Sequence, residues 1–148
     1  MKPRYRVSTQ ARRFDIGLIH EFLRGSYWAK GIPRSVVVRA IRNSLCFGVF
    51  YQGSQIGFGR VITDRATFAY VADVFVVPEH RGRGAAQLLL RAMLDHRQLQ
   101  GLRRWMLATN DAHRLYQKFG FAPLSNPERY MTIHHPDMYG TKKRQPSG

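Results

Sequence analysis

The chain has 148 residues, 24 Lys and Arg against 9 Asp and Glu, and a formal net charge of +15. Hydrophobic residues at 44% and aromatics at 12% supply a packed core; this excludes a disordered basic tail, and the length fits one domain. Cys46 is the single cysteine, which excludes an intrachain disulfide and a structural zinc site built on two or more cysteines.

Met1-Lys-Pro-Arg-Tyr-Arg-Val has charge but no apolar stretch behind it, so it does not read as a secretory signal. No apolar run approaches the ~20 residues of a membrane span, and the expectation is a cytoplasmic protein with no membrane partner. Tyr5, Val7 and Thr9 alternate with Arg6 and Ser8, a short strand signal. Asp15 is placed to cap a helix to about Arg24, with Ile16, Ile19, His20, Phe22 and Leu23 on its apolar side. Gly25 to Pro33 is a loop rich in breakers and aromatics, and Pro33 opens a second helix reaching about Asn43. Leu45 to Tyr51, Ile56 to Thr63 and Thr67 to Val77 read as three strands joined by short turns, an antiparallel meander.

A helix from about Gly84 to Gln100 follows, with Ala86, Leu89, Leu90, Met93 and Leu94 as its apolar stripe and Gly101 as its stop. Trp105 to Ala108 reads as a short buried strand. Asp111 is a candidate cap for a helix from Ala112 to Phe119, and Phe121 with Arg129 to His134 reads as a last hairpin. Residues 1–135 thus form one domain, and 136–148 a polar tail expected to fray. A crossover from the Thr67 strand through a helix to the Trp105 strand implies a parallel pair inside a mostly antiparallel sheet. The expected class is α/β (α+β), helices around one mixed sheet.

The informative segment is Asp73-Val-Phe-Val-Val-Pro-Glu-His-Arg-Gly-Arg-Gly-Ala-Ala-Gln-Leu88. Gly82 and Gly84 let backbone N–H groups approach a ligand, the following helix start adds free donors and partial positive charge, and Arg81 and Arg83 add full charges. A dinucleotide fingerprint beginning at Gly82 would need glycine where Gln87 stands, and a Gly-Lys-Ser/Thr loop is absent. On local features alone, a plain strand–helix connection accounts for this segment equally well.

Arg81-x-x-Gly84-x-Ala86, directly after a Val-rich strand ending in Pro78-Glu79, resembles the acyl-CoA pyrophosphate loop of the GNAT superfamily of N-acetyltransferases. Ala112-His-Arg-Leu-Tyr-Gln-Lys-Phe-Gly-Phe121 is similar to that superfamily's Leu-Tyr segment before Gly-Phe. The likeness runs from about Tyr5 to Ile133 and implies a sheet whose parallel pair splays at the cofactor site. It implies acetyl-CoA as acetyl donor, with backbone groups of Val74, Phe75 and Val76 along the pantetheine arm. It also implies amides of Arg81, Gly82, Arg83, Gly84, Ala85 and Ala86 on the pyrophosphate. Tyr116 matches the tyrosine that protonates the departing thiolate. Many members carry Asn seven residues before it; here Thr109 holds that place and Asn110 follows, so either is the candidate contact.

The implied reaction is direct acetyl transfer to an amine, which must first lose its proton; a lysine-type amine, with a reference pKa near 10.4, needs a base more than an α-amine near 7.8. Asp73 is the first candidate base, with pairing to an arginine as the alternative. Tyr116, Leu115 and Phe119 would equally form a core-facing side without the family context. Tyr27 and Trp28 would form an acceptor lid or simply pack. Glu21 reads as a solvated helix face, and His113 lies one turn from Tyr116 but can point outward. Cys46 reads as core. His134-His135 lacks partners at ligand spacing, so no metal is expected, and Lys142-Lys143-Arg144 is too short to argue for nucleic acid.

The charge is even, 12 basic against 4 acidic residues in positions 1–74 and 12 against 5 in the rest. So few acids make a groove for a polycationic acceptor hard to build, which favours a small amine, with a carboxylate or phosphate of its own as an option. A protein N-terminal or lysine amine is the runner-up. From another class, a basic nucleic-acid-binding protein fits the charge, but no recognition module is visible. Monomer and homodimer both stay open.

Overall fold

A computed structural model describes residues 4–140. Five strands form one sheet in sequence order: β1 (Tyr5–Ser8), β2 (Leu45–Tyr51), β3 (Ser54–Thr63), β4 (Phe68–Val76) and β5 (Arg104–Met106). All neighbours are antiparallel except β4 and β5, which run parallel, as the crossover predicts. The helices are α1 (Ile16–Arg24), α2 (Arg34–Arg42), α3 (Ala85–Asp95) and α4 (His113–Gln117).

The sheet is buried on both faces. Phe47, Val49, Val61 and Val71 face Leu89, Leu90 and Met93 of α3 on one side. Cys46, Phe58 and Phe75 meet Ile19 and Leu23 of α1 and Val37 and Ile41 of α2 on the other. The alternation along β2 sends Cys46 and Phe47 into different clusters, the period-2 consequence of a pleated strand. Asp15 caps α1 as expected, its Oδ1 accepting from the Leu18 N–H at 3.0 Å.

Four elements differ from the sequence reading. The helix expected to reach Gln100 stops at Asp95, because His96 is extended and its Nδ1 accepts from the Gln98 N–H, opening a short 3-10 turn. The strand expected over 105–108 covers 104–106 and is not fully buried, since it is the sheet edge. The helix expected over 112–119 spans only 113–117. Asp111 does not cap it; the Thr109 hydroxyl accepts from the Ala112 N–H at 3.0 Å instead. The hairpin of Phe121 with 129–134 is absent: no strand follows β5 among the described residues, and Met131 and Ile133 stand exposed. Of the segment read as a tail, 136–140 is described, and Tyr139 packs partly buried against the α1–α2 cluster. Lys142-Lys143-Arg144 lies outside the described residues.

Cys46 is buried, its Sγ donating to the Ile41 carbonyl, and burial pushes the thiol up to about 12. The thiol is therefore inert packing. A thiol reagent at pH 8 will leave it unmodified in the folded protein and titrate it fully in denaturant; fast modification of the native chain would contradict this.

A splayed sheet edge and a cleft beside Tyr116

β4 and β5 pair only at Phe68 with Arg104, Ala69 with Trp105 and Tyr70 with Met106. Beyond Tyr70 the strands part, and among the described residues the β5-facing edge of 71–76 has no strand partner. A bulge marks the opening. Ala72 pairs with Arg60 and Phe75 with Phe58, so Asp73 and Val74 oppose the single residue Gly59. Asp73 takes φ +57°, a left-handed conformation that aspartate tolerates better than most side chains, and such bulges re-aim a side chain.

At the far end of this edge comes the Arg81–Ala86 loop. Gly82 and Gly84 have φ +75° and +89°, and a Cβ at either would meet no atom within 4 Å. Glycine is thus required by conformation, and the space above it is open. Among the described residues the N–H groups of Gly82, Arg83 and Gly84 have no protein acceptor. With the start of α3 they present a cluster of free donors fit for an anion of phosphate type. Arg83 is exposed and has no ion-pair partner among the described residues. Arg81 departs from a purely outward role: its Nε donates to the Val76 carbonyl at 3.0 Å, tying the loop to the strand end. Ala85 is buried against the α3 core and Ala86 partly so; Val76 and the Phe75 ring are buried, the ring stacking on Phe22 at 4.0 Å.

Tyr116 stands where two hollows meet. A cleft of about 650 Å³ is lined by Tyr27, Trp28, Arg60, Ile62, Tyr70 to Val74, Tyr116, His134 and Tyr139, among others; a second, of about 350 Å³, lies along Trp105–Thr109, Tyr116 and Phe121–Leu124. The Tyr116 ring is 8% exposed and meets Phe121 edge-on. Burial above all, with Tyr27 and Asp111 adding, pushes its hydroxyl up to about 12. The group therefore holds its proton throughout the neutral range. Because this tyrosine and the Cys46 thiol are both raised, the folded chain favours their protonated forms. That stability is whole below about pH 9, where the unfolded thiol begins to ionise, and is lost as pH rises toward 12. The urea midpoint should fall over that window; a flat midpoint would contradict the two shifts.

The loop between α1 and α2 spans the opening. The Tyr27 hydroxyl accepts from the Asn110 N–H at 3.3 Å, and the Trp28 Nε1–H donates to Asp73 Oδ1 at 2.9 Å. Both aromatics remain about half exposed, toward the cleft. The second Asp73 oxygen accepts from Arg60 Nε at 2.8 Å, and Arg60 Nη1 donates to Ser44 Oγ at 3.1 Å. Asp73 is thus the ion-paired carboxylate that the alternative reading anticipated. The Thr109 hydroxyl is occupied by the Ala112 N–H in the turn before α4, and Asn110 is exposed, its N–H donating to Tyr27. Glu21 pairs with Arg24 on the solvent face of α1, and His113 is exposed.

Sequence reasoning missed Arg60, His134 and Tyr139 as cleft residues. Arg60 carried one usable signal: a lone cation inside the apolar run Ile56 to Ile62 needs a buried partner. Among the described residues no helix is long and apolar enough to cross a membrane.

A family model described as an acetyltransferase (GNAT) domain matches residues 42–123. A Gibberella zeae protein assigned as an acetyltransferase is 33% identical over 137 residues, covering 77% of this chain and 76% of its own length. A crystal structure of a GNAT-family acetyltransferase assignment from Xanthomonas campestris pv. campestris is 52% identical, covers 95% of this chain and all of that one, and superposes with a TM-score of 0.92. Glucosamine-6-phosphate N-acetyltransferase from Arabidopsis thaliana shares the fold at 16% identity, with a TM-score of 0.64 over 88% of this chain and 98% of its own.

Proposed function

The chain belongs to the GNAT family of acetyltransferases, and from that membership we propose that it moves the acetyl group of acetyl-CoA directly onto the primary amine of a small, not polycationic acceptor. The observation that carries the reading is the splayed edge: among the described residues, 71–76 have no strand partner beside β5, 71–74 line one cleft with Tyr116, and the loop with the unbonded amides of Gly82–Gly84 follows the end of that strand.

Acetyl-CoA supplies the activated thioester. The amides and Arg83 would hold its diphosphate, and the exposed edge of Val74 to Val76 would hydrogen-bond its pantetheine arm as an added strand does. A strand amide near Phe75 would polarise the thioester carbonyl. The amine nitrogen forms the new N–C bond as the C–S bond breaks, the Tyr116 O–H donating to the departing sulfur. The proton that the acylated nitrogen sheds restores the phenol, so amine and thioester become amide and thiol with Tyr116 unchanged.

The base must take one proton from the ammonium. Both Asp73 oxygens already accept hydrogen bonds, one from a cation, so its role becomes positioning Trp28 and Arg60. His134 lines the same cleft, and its ring makes no hydrogen bond among the described residues. An imidazole is the side chain suited to accept a proton near neutral pH. His134→Gln is expected to lower kcat/KM about 10²-fold at pH 7, within the usual range for losing a general base. The deficit should narrow as pH rises and the amine deprotonates unaided. A deficit constant with pH would remove His134 from that role. Turnover is followed by CoA thiol release with a panel of small amines.

A further inference from the structure

Among the described residues the cleft is lined by one carboxylate and one permanent cation, and they are not equally available. Asp73 accepts from Trp28 Nε1 through Oδ1 and from Arg60 Nε through Oδ2, and its side chain is 11% exposed. Arg60 uses Nε on Asp73 and Nη1 on Ser44, while Nη2 has no protein acceptor among the described residues. Its side chain is 17% exposed and lines the cleft. A guanidinium clamped on one side in this way keeps its plane fixed and presents its remaining donors at little entropic cost.

The surroundings sharpen the preference. Among the described residues no other Asp or Glu lines the cleft, so none of them offers a free carboxylate to a second ammonium on the acceptor. Trp28, Ile62, Tyr70 and Val71 line the same cleft and give it apolar surface beside the guanidinium. The surplus of 24 basic over 9 acidic residues adds a field that draws anions.

We propose that Arg60, held in place by Asp73 and Ser44, binds an anionic group on the acceptor, making the acceptor a small primary amine that carries a carboxylate or phosphate. This rests on the acetyl-transfer reading only for the word acceptor; the anion site stands or falls on binding.

The test is calorimetry on the full chain saturated with CoA, titrated with two matched pairs: L-phenylalanine against 2-phenylethylamine, and O-phosphoethanolamine against ethanolamine. At least one anionic member should bind tenfold or more tighter than its neutral partner, and the pair that discriminates identifies carboxylate or phosphate. Arg60→Lys keeps a cation for Asp73 but loses the planar fork, and should reduce that discrimination to about threefold or less. CoA affinity, measured in a separate titration of the CoA-free chain, reports that the variant is folded. Neutral members binding equally well, no member binding, or discrimination that survives Arg60→Lys would each overturn the proposal. Thiol release with the same four amines separates it from the parent reading. Anion-selective binding without turnover refutes acetyl transfer and leaves the site standing; turnover without anion preference does the reverse.

Discussion

Tyr116→Phe should lower kcat by about 10²-fold or more, the usual size of a general-acid contribution, while KM for acetyl-CoA changes little. The reasoning is differential. The ring is buried against Phe121 and its core, and phenylalanine preserves that packing, so neither fold nor cofactor contact is removed. What disappears is the one O–H at the junction of the two hollows. Its proton is secure at neutral pH because burial raises it to about 12, so the wild type should show no loss of activity from tyrosine ionisation below pH 10. Steady-state kinetics at varied acetyl-CoA and saturating amine separate the two parameters. Unchanged kcat would reduce Tyr116 to a packing residue, the role its helical spacing with Leu115 and Phe119 would otherwise suggest. A parallel rise in KM would mean that the hydroxyl binds the donor in its ground state.

Asp73→Ala is expected to destabilise the fold by about 3–5 kcal/mol, the cost of breaking a buried ion pair from one side. The pair is largely shielded, at 17% and 11% side-chain exposure. Removal of the carboxylate leaves the Arg60 guanidinium without its counter-charge and frees the Trp28 indole from the sheet. Alanine also fits the left-handed φ of +57° poorly, adding about 1–2 kcal/mol. Asp73→Asn separates these effects: asparagine tolerates that conformation and can still accept from Trp28, so it should lose distinctly less. Urea denaturation monitored by Trp fluorescence and by far-UV circular dichroism measures both variants. Equal, small losses would show that the Arg60–Asp73 pair contributes little. Equal, large losses would locate the effect in charge alone.

The loop proposed to hold the donor was legible in the chain because its signals are local. Left-handed glycines at 82 and 84, a strand ending before them and a helix beginning after them all fall within about a dozen consecutive residues. The acceptor side depends on long-range placement. Arg60 and Asp73 meet across a bulge, Trp28 reaches Asp73 from a loop 45 residues away, and Tyr27 reaches Asn110 across 83. Only the composition of these segments was readable. The meander and the crossover pair were read correctly, since short turns and alternating burial dictate them. The last hairpin was not. Arg129 to His134 was read as strand, but among the described residues no segment pairs with it, and a strand signal alone does not supply a partner. Asp111 carries capping chemistry, but α4 starts one residue later than expected with Ala112 at its cap position and no side-chain cap, and the Thr109 hydroxyl holds the turn before it.

The even spread of charge takes on a narrower meaning. Arg83 and Arg60 face the two ends of the proposed reaction path, but most of the arginines lie elsewhere. Fluorimetric melting of the wild-type chain against increasing acetyl-CoA addresses the proposed donor most directly. A ligand that binds only the folded state should stabilise it by about 2.7 kcal/mol at 100 times its Kd, so the midpoint should climb with concentration and CoA should act similarly. A midpoint unmoved by millimolar acetyl-CoA and CoA, but raised by polynucleotide and returned by salt, would contradict the acetyl-transfer account and point to the basic surface instead.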